Sequence, residues 1–300
     1  MSHSEHHHHH HKVEGKRLFL TVLLNVIITV AELIGGIISG SMSLISDAVH
    51  NFSDVLALII SYVANRLTRR SATEGKTYGY RRSEILAAFI NSATLIVLAV
   101  FILYQAVMRF FFPVEIAGDL VIWLAAASIA VNGFSVLLIH RSTHDNMNMR
   151  SAYLHLFGDM LTSVAVLAGG LLMKYYEIYW IDAVLSVLIA LYLLQMSWGI
   201  FKSSLKIIMQ FTPAGIDLMA IAAEVEQIAG IKNIHHIHVW QIDEHHIMFE
   251  AHVDLAADVS ISKFENILVE IKKMLSKYDI EHITIQPEFA ADDNKDIIHN

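Results

Sequence analysis

"ILAAFINSATLIVLAVFILYQAVMRFF", residues 85–111, carries one charged side chain, Arg109, in 27 residues. A bilayer core about 30 Å thick takes roughly 20 helical residues to cross, so this stretch reads as a membrane-spanning helix. On either side of it the hydropathy gives five more blocks of the same kind: Arg17–Gly36, Met42–Leu67, Leu120–Ile139, Ser151–Lys174 and Trp180–Lys202. The breaks between them fit their places. "SGSM" at 39–42 is a tight turn, residues 66–84 form a basic loop, and "FFPVEIAGD" at 111–119 contains the helix-stopping Pro113. "HRSTHDNMNMR" at 140–150 is polar, and "KYYEIYW" at 174–180 is an aromatic belt.

The whole chain agrees, with 55% hydrophobic and 17% charged residues. It has no cysteine, which excludes disulfides and thiolate metal sites. A formal charge of −8 argues against nucleic acid as a partner. No signal peptide is evident. Residues 1–16 hold six consecutive histidines, which read equally as an affinity tag or as a native metal-gathering tail, and they stand outside the fold reading.

Lys12, Lys16, Arg17, Arg66, Arg69, Arg70, Lys76, Arg81, Arg82, Arg141 and Arg150 all fall on one side of the six-span layout. Only Arg109 and Lys174 flank the other. The positive-inside rule therefore puts both termini and the 66–84 loop in the cytoplasm.

After about Phe211 the pattern changes. "GIDLMAIAAEVEQIAG" at 215–230 reads as a helix ended by Gly230, and "IKNIHHIHVWQI" and "HHIMFEAHVDL" read as strands. In the second strand Ile247, Phe249, Ala251, Val253 and Leu255 alternate with polar residues. "SISKFENILVEIKKMLSKY" is an amphipathic helix capped by Ser260 or Ser262, and "IEHITIQPE" at 280–288 is a third strand. The expected fold is thus a six-helix transmembrane domain, 17–207, then a small cytoplasmic α+β domain of order αββαβ, 208–290, and a polar tail, 291–300.

Within the spans two stretches stand out: "SDAVHNFSD" at 46–54 and "SAYLHLFGDM" at 151–160. Each puts a histidine and an aspartate four residues apart, on one helix face. At 1.5 Å per residue, His50 and Asp54 lie roughly 12 and 18 Å below the outer surface, and His155 and Asp159 roughly 6 and 12 Å above the inner one. The two pairs can meet near mid-membrane. An aspartate at that depth costs on the order of 3 kcal/mol, and no lysine or arginine lies there to offset it. Two imidazoles and two carboxylates supply the four N/O ligands of a tetrahedral Zn²⁺, and imidazole favours Zn²⁺, Co²⁺ or Ni²⁺ over Mg²⁺ and Ca²⁺. Either pair alone reads as well as a packing contact; two at matched depth favour a metal site. Asp47, a turn before His50, reads as a supporting carboxylate or part of the access route. Glu32, Asn25, Asn91, Asn132 and Asp182 read as hydrogen-bonding groups between helices. Imidazole must be neutral to bind metal, so a site open alternately to each face would exchange a divalent ion against H⁺.

"LISDAVHNFSD" (44–54), "YGYRRSEILAAFIN" (78–91), "LHLFGDMLTSVAVLAGG" (154–170), "IHHIHVW" (234–240) and "HITIQPE" (282–288) resemble the cation diffusion facilitators, in particular the bacterial zinc exporters of the CzcD and ZitB type. The resemblance runs from about Arg17 to Glu288. It implies a homodimer in the bacterial inner membrane, with a metallochaperone-like, ferredoxin-like cytoplasmic domain, that exports Zn²⁺ in exchange for protons. It further implies that His50, Asp54, His155 and Asp159 form the transport site, and that Cd²⁺, Co²⁺ or Ni²⁺ are further candidate ions. His235, His252 and Glu288 fall where some members bind regulatory metal near the dimer interface, with His236, His238 and His282 as neighbours. Two departures are visible. The 66–84 loop has no histidine, so no loop site is expected. "IIMQFTP" at 207–213 lacks the aspartate that forms an interlocking ion pair in some relatives.

Two other classes of function compete with transport. An intramembrane metal-dependent hydrolase needs an open coordination position and a nearby general base. Four protein ligands would close the site, and neither pair contains an HExxH glutamate, so no enzyme is expected. A sensor that binds metal without moving it is the other alternative.

Overall fold

The structure is a computed structural model that describes the backbone of residues 8–112, 114–140, 147–292 and 294–298, and side chains from residue 22 onward except those at 58, 61, 62, 65 and 138–155. The described residues pack as two compact units, one within residues 1–60 and 90–200, the other within 61–89 and 201–300.

Six long helices run in sequence: α1 (His8–Ser39), α2 (Met42–Thr68), α3 (Ser83–Phe111), α4 (Gly118–His140), α5 (Met147–Tyr176) and α6 (Trp180–Ile208). Among the described residues, all but α2 contain a window long and apolar enough to cross a membrane. At 27 residues α2 is longer than α4, and it carries the polar pair His50 and Asp54. The chain is an integral membrane protein with a helical membrane domain, and helices suit that setting because each satisfies its backbone hydrogen bonds within one segment. Gly40 sits at φ +72°, the left-handed conformation that lets α1 stop and α2 start two residues later.

The first unit turns ordinary polarity outward. Trp123 and Leu137 are about three-quarters exposed, as suits a lipid-facing surface. Its core joins Leu44, Ala99, Val121, Ala125, Val166 and Met173 from α2 to α5. Where α4 meets α5, Gly170 lets the backbones close: a Cβ there would lie 3.1 Å from Ile122 and 3.2 Å from Val121. Gly170→Leu is expected to lower stability by about 1–3 kcal/mol, the usual cost of overpacking, and the melting temperature of the detergent-purified protein reads it.

The second unit includes α7 (Leu218–Val225), β1 (Ile231–Gln241), β2 (Ile247–Leu255), α8 (Ile261–Leu275), a 3₁₀ turn (Ser276–Tyr278) and β3 (Ile280–Glu288). This is the expected αββαβ order. The sheet order is β1-β2-β3, with β1 antiparallel to β2, and β2 parallel to β3 by way of α8. Asp217 caps α7, accepting from the N–H groups of Met219 and Ala220 at 3.0 and 3.2 Å. Ser260 is the N-cap residue of α8, but its hydroxyl lies 3.1 Å from that of Ser262 rather than on the helix backbone.

The inward apolar row of β2 is as the alternation suggested, yet Met248 and Asp254 on the opposite face are buried as well. In β1 the period of two breaks. A bulge between His235 and His238 puts His236 at φ +52°, and the adjacent residues Ile234 and His235 are both buried.

Candidate metal centres

His50 and Asp54 lie one turn apart on α2, and Asp159 comes from α5. His50 Nδ1 is 3.6 Å from Asp54 Oδ2, and His50 Nε2 is 3.3 Å from Asp159 Oδ1. One donor atom from each of the three lies within 4.8 Å of the others. His50 and Asp159 are buried, Asp54 partly so. Tyr192 of α6 closes one side, its ring edge-on to the imidazole with centroids 6.0 Å apart. His155 occupies the turn of α5 before Asp159, and its side chain lies outside the described residues.

Asp47 is buried too, and its Oδ2 accepts from Ser163 Oγ at 3.3 Å. Ser163 Oγ is in turn 2.9 Å from Ser128 Oγ, and Asn132 donates to Ser128 at 3.5 Å. Asn51 Nδ2 donates to the fully buried Glu32 at 3.3 Å, bridging α2 and α1. A buried polar track thus leads away from the His50 cluster through α2, α4 and α5. Of the five polar residues expected to bond between helices, Glu32 and Asp182 do so directly. Among the described residues Asn132 bonds within α4, to Ser128, which in turn meets Ser163 of α5. The side-chain oxygens of Asn25 and Asn91 have no hydrogen-bond partner among the described residues.

Asp182 has the largest share of bonds. Fully buried at the start of α6, it accepts from Ser41 Oγ (2.7 Å), Met42 N (2.8 Å), Ser43 N (3.1 Å) and Ser43 Oγ (2.6 Å). Arg109 at the end of α3 adds an ion pair at 3.0 Å and also donates to the Gly40 carbonyl. Asp182 therefore caps the N-terminus of α2 from another helix, satisfying donors that a helix start leaves open. The sequence reading passes over Ser41, Ser43, Ser128 and Ser163; serines in apolar spans are the signal that marks them.

In the second unit His235 faces His252 across β1 and β2, and Glu288 ends β3. His235 Nε2 is 3.3 Å from Glu288 Oε2, and His252 Nδ1 is 2.8 Å from Glu288 Oε1. These three also offer donor atoms mutually within 4.8 Å. His236 stacks on His252 with centroids 4.7 Å apart, and His238 meets His236 edge-on. His282 stands against Tyr78 instead, 6.4 Å between centroids. Among the described residues the donor set is His235, His252 and Glu288, without His238 or His282.

Residues 18–209 match the family model described as the cation efflux transmembrane domain, and residues 213–290 match that of the cation efflux protein cytoplasmic domain. The chain is similar to the cadmium, cobalt and zinc/H(+)-K(+) antiporter of Bacillus velezensis, 35% identical over 90% of this chain and 87% of the relative. It is similar to the zinc transporter ZitB of Pectobacterium atrosepticum, 35% identical over 93% and 87%. The metal cation efflux system protein CzcD of Cupriavidus metallidurans is 33% identical over 89% and 84%. These relatives are named as transport proteins, none as an enzyme. With both domain models matched in order along one chain, the protein belongs to the cation efflux family, the cation diffusion facilitators.

Proposed function

We propose that the protein exports Zn²⁺ from the cytoplasm across the bacterial inner membrane in exchange for protons, working as a homodimer with both termini cytoplasmic. His50, Asp54, His155 and Asp159 bind the transported ion. His235, His252 and Glu288 bind a regulatory ion. Residues 17–207 form the transmembrane part and 208–290 the cytoplasmic part. The relatives' names support zinc first and add cadmium, cobalt and a potassium-linked counter-flow; Ni²⁺ rests on ligand chemistry alone.

One observation carries the reading: His50 is held between two carboxylates from two helices, deep in a membrane unit. Each ring nitrogen faces an acceptor, an arrangement that an N–H on each satisfies. A metal ion needs a lone pair on one nitrogen instead, so ion and proton take the same place. That exclusion is what antiport requires at its binding site.

The test is flux of radioactive zinc into inside-out vesicles. Saturable uptake that collapses when the proton gradient is dissipated is expected. Zinc that binds to the purified protein without crossing would favour the sensor reading.

A further inference from the structure

We infer that the C-terminal segment is a tethered competitor for the cytoplasmic centre, with the ammonium of Lys295 held on the His235 and Glu288 atoms that a divalent ion would take. The inference rests on the proposed reading of that centre as a metal site.

Lys295 Nζ lies 3.1 Å from Glu288 Oε2 and 3.5 Å from His235 Nε2, two of the three candidate donor atoms. Asp254 anchors it, with its two carboxylate oxygens 3.0 and 3.1 Å away. This contact accounts for the burial of Asp254 on the polar face of β2. Asp254 and Glu288 are paired across the parallel strands, so two carboxylates stand side by side and need a cation between them. The chain supplies its own.

The backbone holds the lysine there. His236 N–H donates to the Asp296 carbonyl at 3.1 Å, and Ile237 N–H to the Ile297 carbonyl at 2.8 Å. These N–H groups belong to the β1 bulge, on the edge of the sheet that β2 leaves open. Ile297 packs against the core beside them. The tail is therefore docked by two backbone bonds, one apolar side chain and one ammonium.

A metal ion bound to His235 Nε2 and Glu288 Oε2 sits about 2.0–2.2 Å from each. Such an ion and the ammonium would compete for the same two atoms, as two like charges a few ångströms apart at most. Metal binding and tail docking exclude one another. Loading the centre frees the segment after Glu288 and uncovers the His236 and Ile237 N–H groups on the β1 edge, so the metal state of the domain is written into an exposed strand edge.

The test uses the full-length protein in detergent. The chain has no cysteine, so Ile298→Cys, at an exposed position, takes a single fluorescent label on the tail. Zinc is titrated in an Asp159→Ala background to remove the membrane site. Label anisotropy is expected to fall as zinc binds, and His252→Ala is expected to abolish the fall. Lys295→Gln is expected to lower the zinc concentration at half-loading by about ten-fold or more, since removing a competitor returns its docking free energy to the ligand. If His252→Ala removes no bound zinc, the metal centre itself is wrong and the inference falls with it. If His252→Ala removes one equivalent, yet anisotropy holds steady at saturation and Lys295→Gln binds as the parent does, the centre stands and the competing tail is refuted.

Discussion

Asp159→Ala is expected to reduce zinc transport by at least about 100-fold, since even a residue that only supports a metal ligand is worth 10–100-fold in affinity or activity. Asp159 is the one described donor that α5 contributes to the cluster, 3.3 Å from His50 Nε2. Removing it takes away the only carboxylate that α5 brings to His50 among the described residues and leaves three of the four proposed ligands, too few to close a tetrahedral site. The fold should survive, because taking a carboxylate out of a buried, carboxylate-rich cluster relieves repulsion as well as removing a bond. The effect should therefore appear in flux at unchanged melting temperature. Asp159→Asn, which keeps the shape but weakens the donor, should fail nearly as badly. A loss of melting temperature that tracks the loss of flux would assign Asp159 a packing role.

Asp182→Ala is expected to do the reverse and destabilise the membrane domain by about 3–5 kcal/mol, the cost of stripping one partner from a buried ion pair. Asp182 satisfies two hydroxyls and two backbone N–H groups at the start of α2 and pairs with Arg109. Without it, these buried donors and the partly exposed Arg109 guanidinium lose their shared acceptor. Because Asp182 fixes the start of the helix that carries His50 and Asp54, transport should fall with stability. Asp182→Asn keeps an acceptor and should lose about half as much, within the 1–3 kcal/mol span of a missing charged hydrogen bond. Thermal melting of the purified variants separates the two cases. A D182A protein that melts with the parent would rule out the clamp.

The membrane helices are legible because a bilayer imposes composition directly. A core that dissolves only apolar side chains leaves blocks such as residues 85–111, and helix α3 ends at Phe111 as that block does. The ends facing water are less legible. α1 begins at His8 rather than Arg17, α5 at Met147 rather than Ser151, and α6 runs to Ile208 rather than Lys202. Hydropathy measures the thickness of hydrocarbon, whereas the hydrogen-bond ladder continues past it into the aqueous phase. The strand Ile280–Glu288 is legible to the residue, since Pro287 limits it on one side and a left-handed Asp279 on the other.

The candidate sites divide in the same way. His50, Asp54 and Asp159 stand out from spacing alone, because charge in a span is costly enough to demand a reason. The centre in the second unit is legible only through the resemblance, and for good cause. Its histidines lie on strands where polar residues are ordinary. The bulge at His236 breaks the alternation that would say which of His235, His236 and His238 share a face. Lys295 gives no local signal at all, since its partners Asp254 and Glu288 are brought to it only by tertiary packing. "SGSM" at 39–42 reads as a turn, but the helix that starts at Met42 just after it takes its cap from Asp182 of α6, with Ser43 among the capped donors.

Metal and proton are held to exchange at one intramembrane site, and proton movement in proteoliposomes under an imposed zinc gradient probes that exchange without intermediaries. A pH-sensitive dye trapped inside reports it, for the parent protein and for Asp159→Ala. Zinc added on one side should drive protons the opposite way, with saturation in zinc, and Asp159→Ala should show only the leak of empty liposomes. Zinc flux with no proton movement, or full exchange by Asp159→Ala, would contradict the shared site.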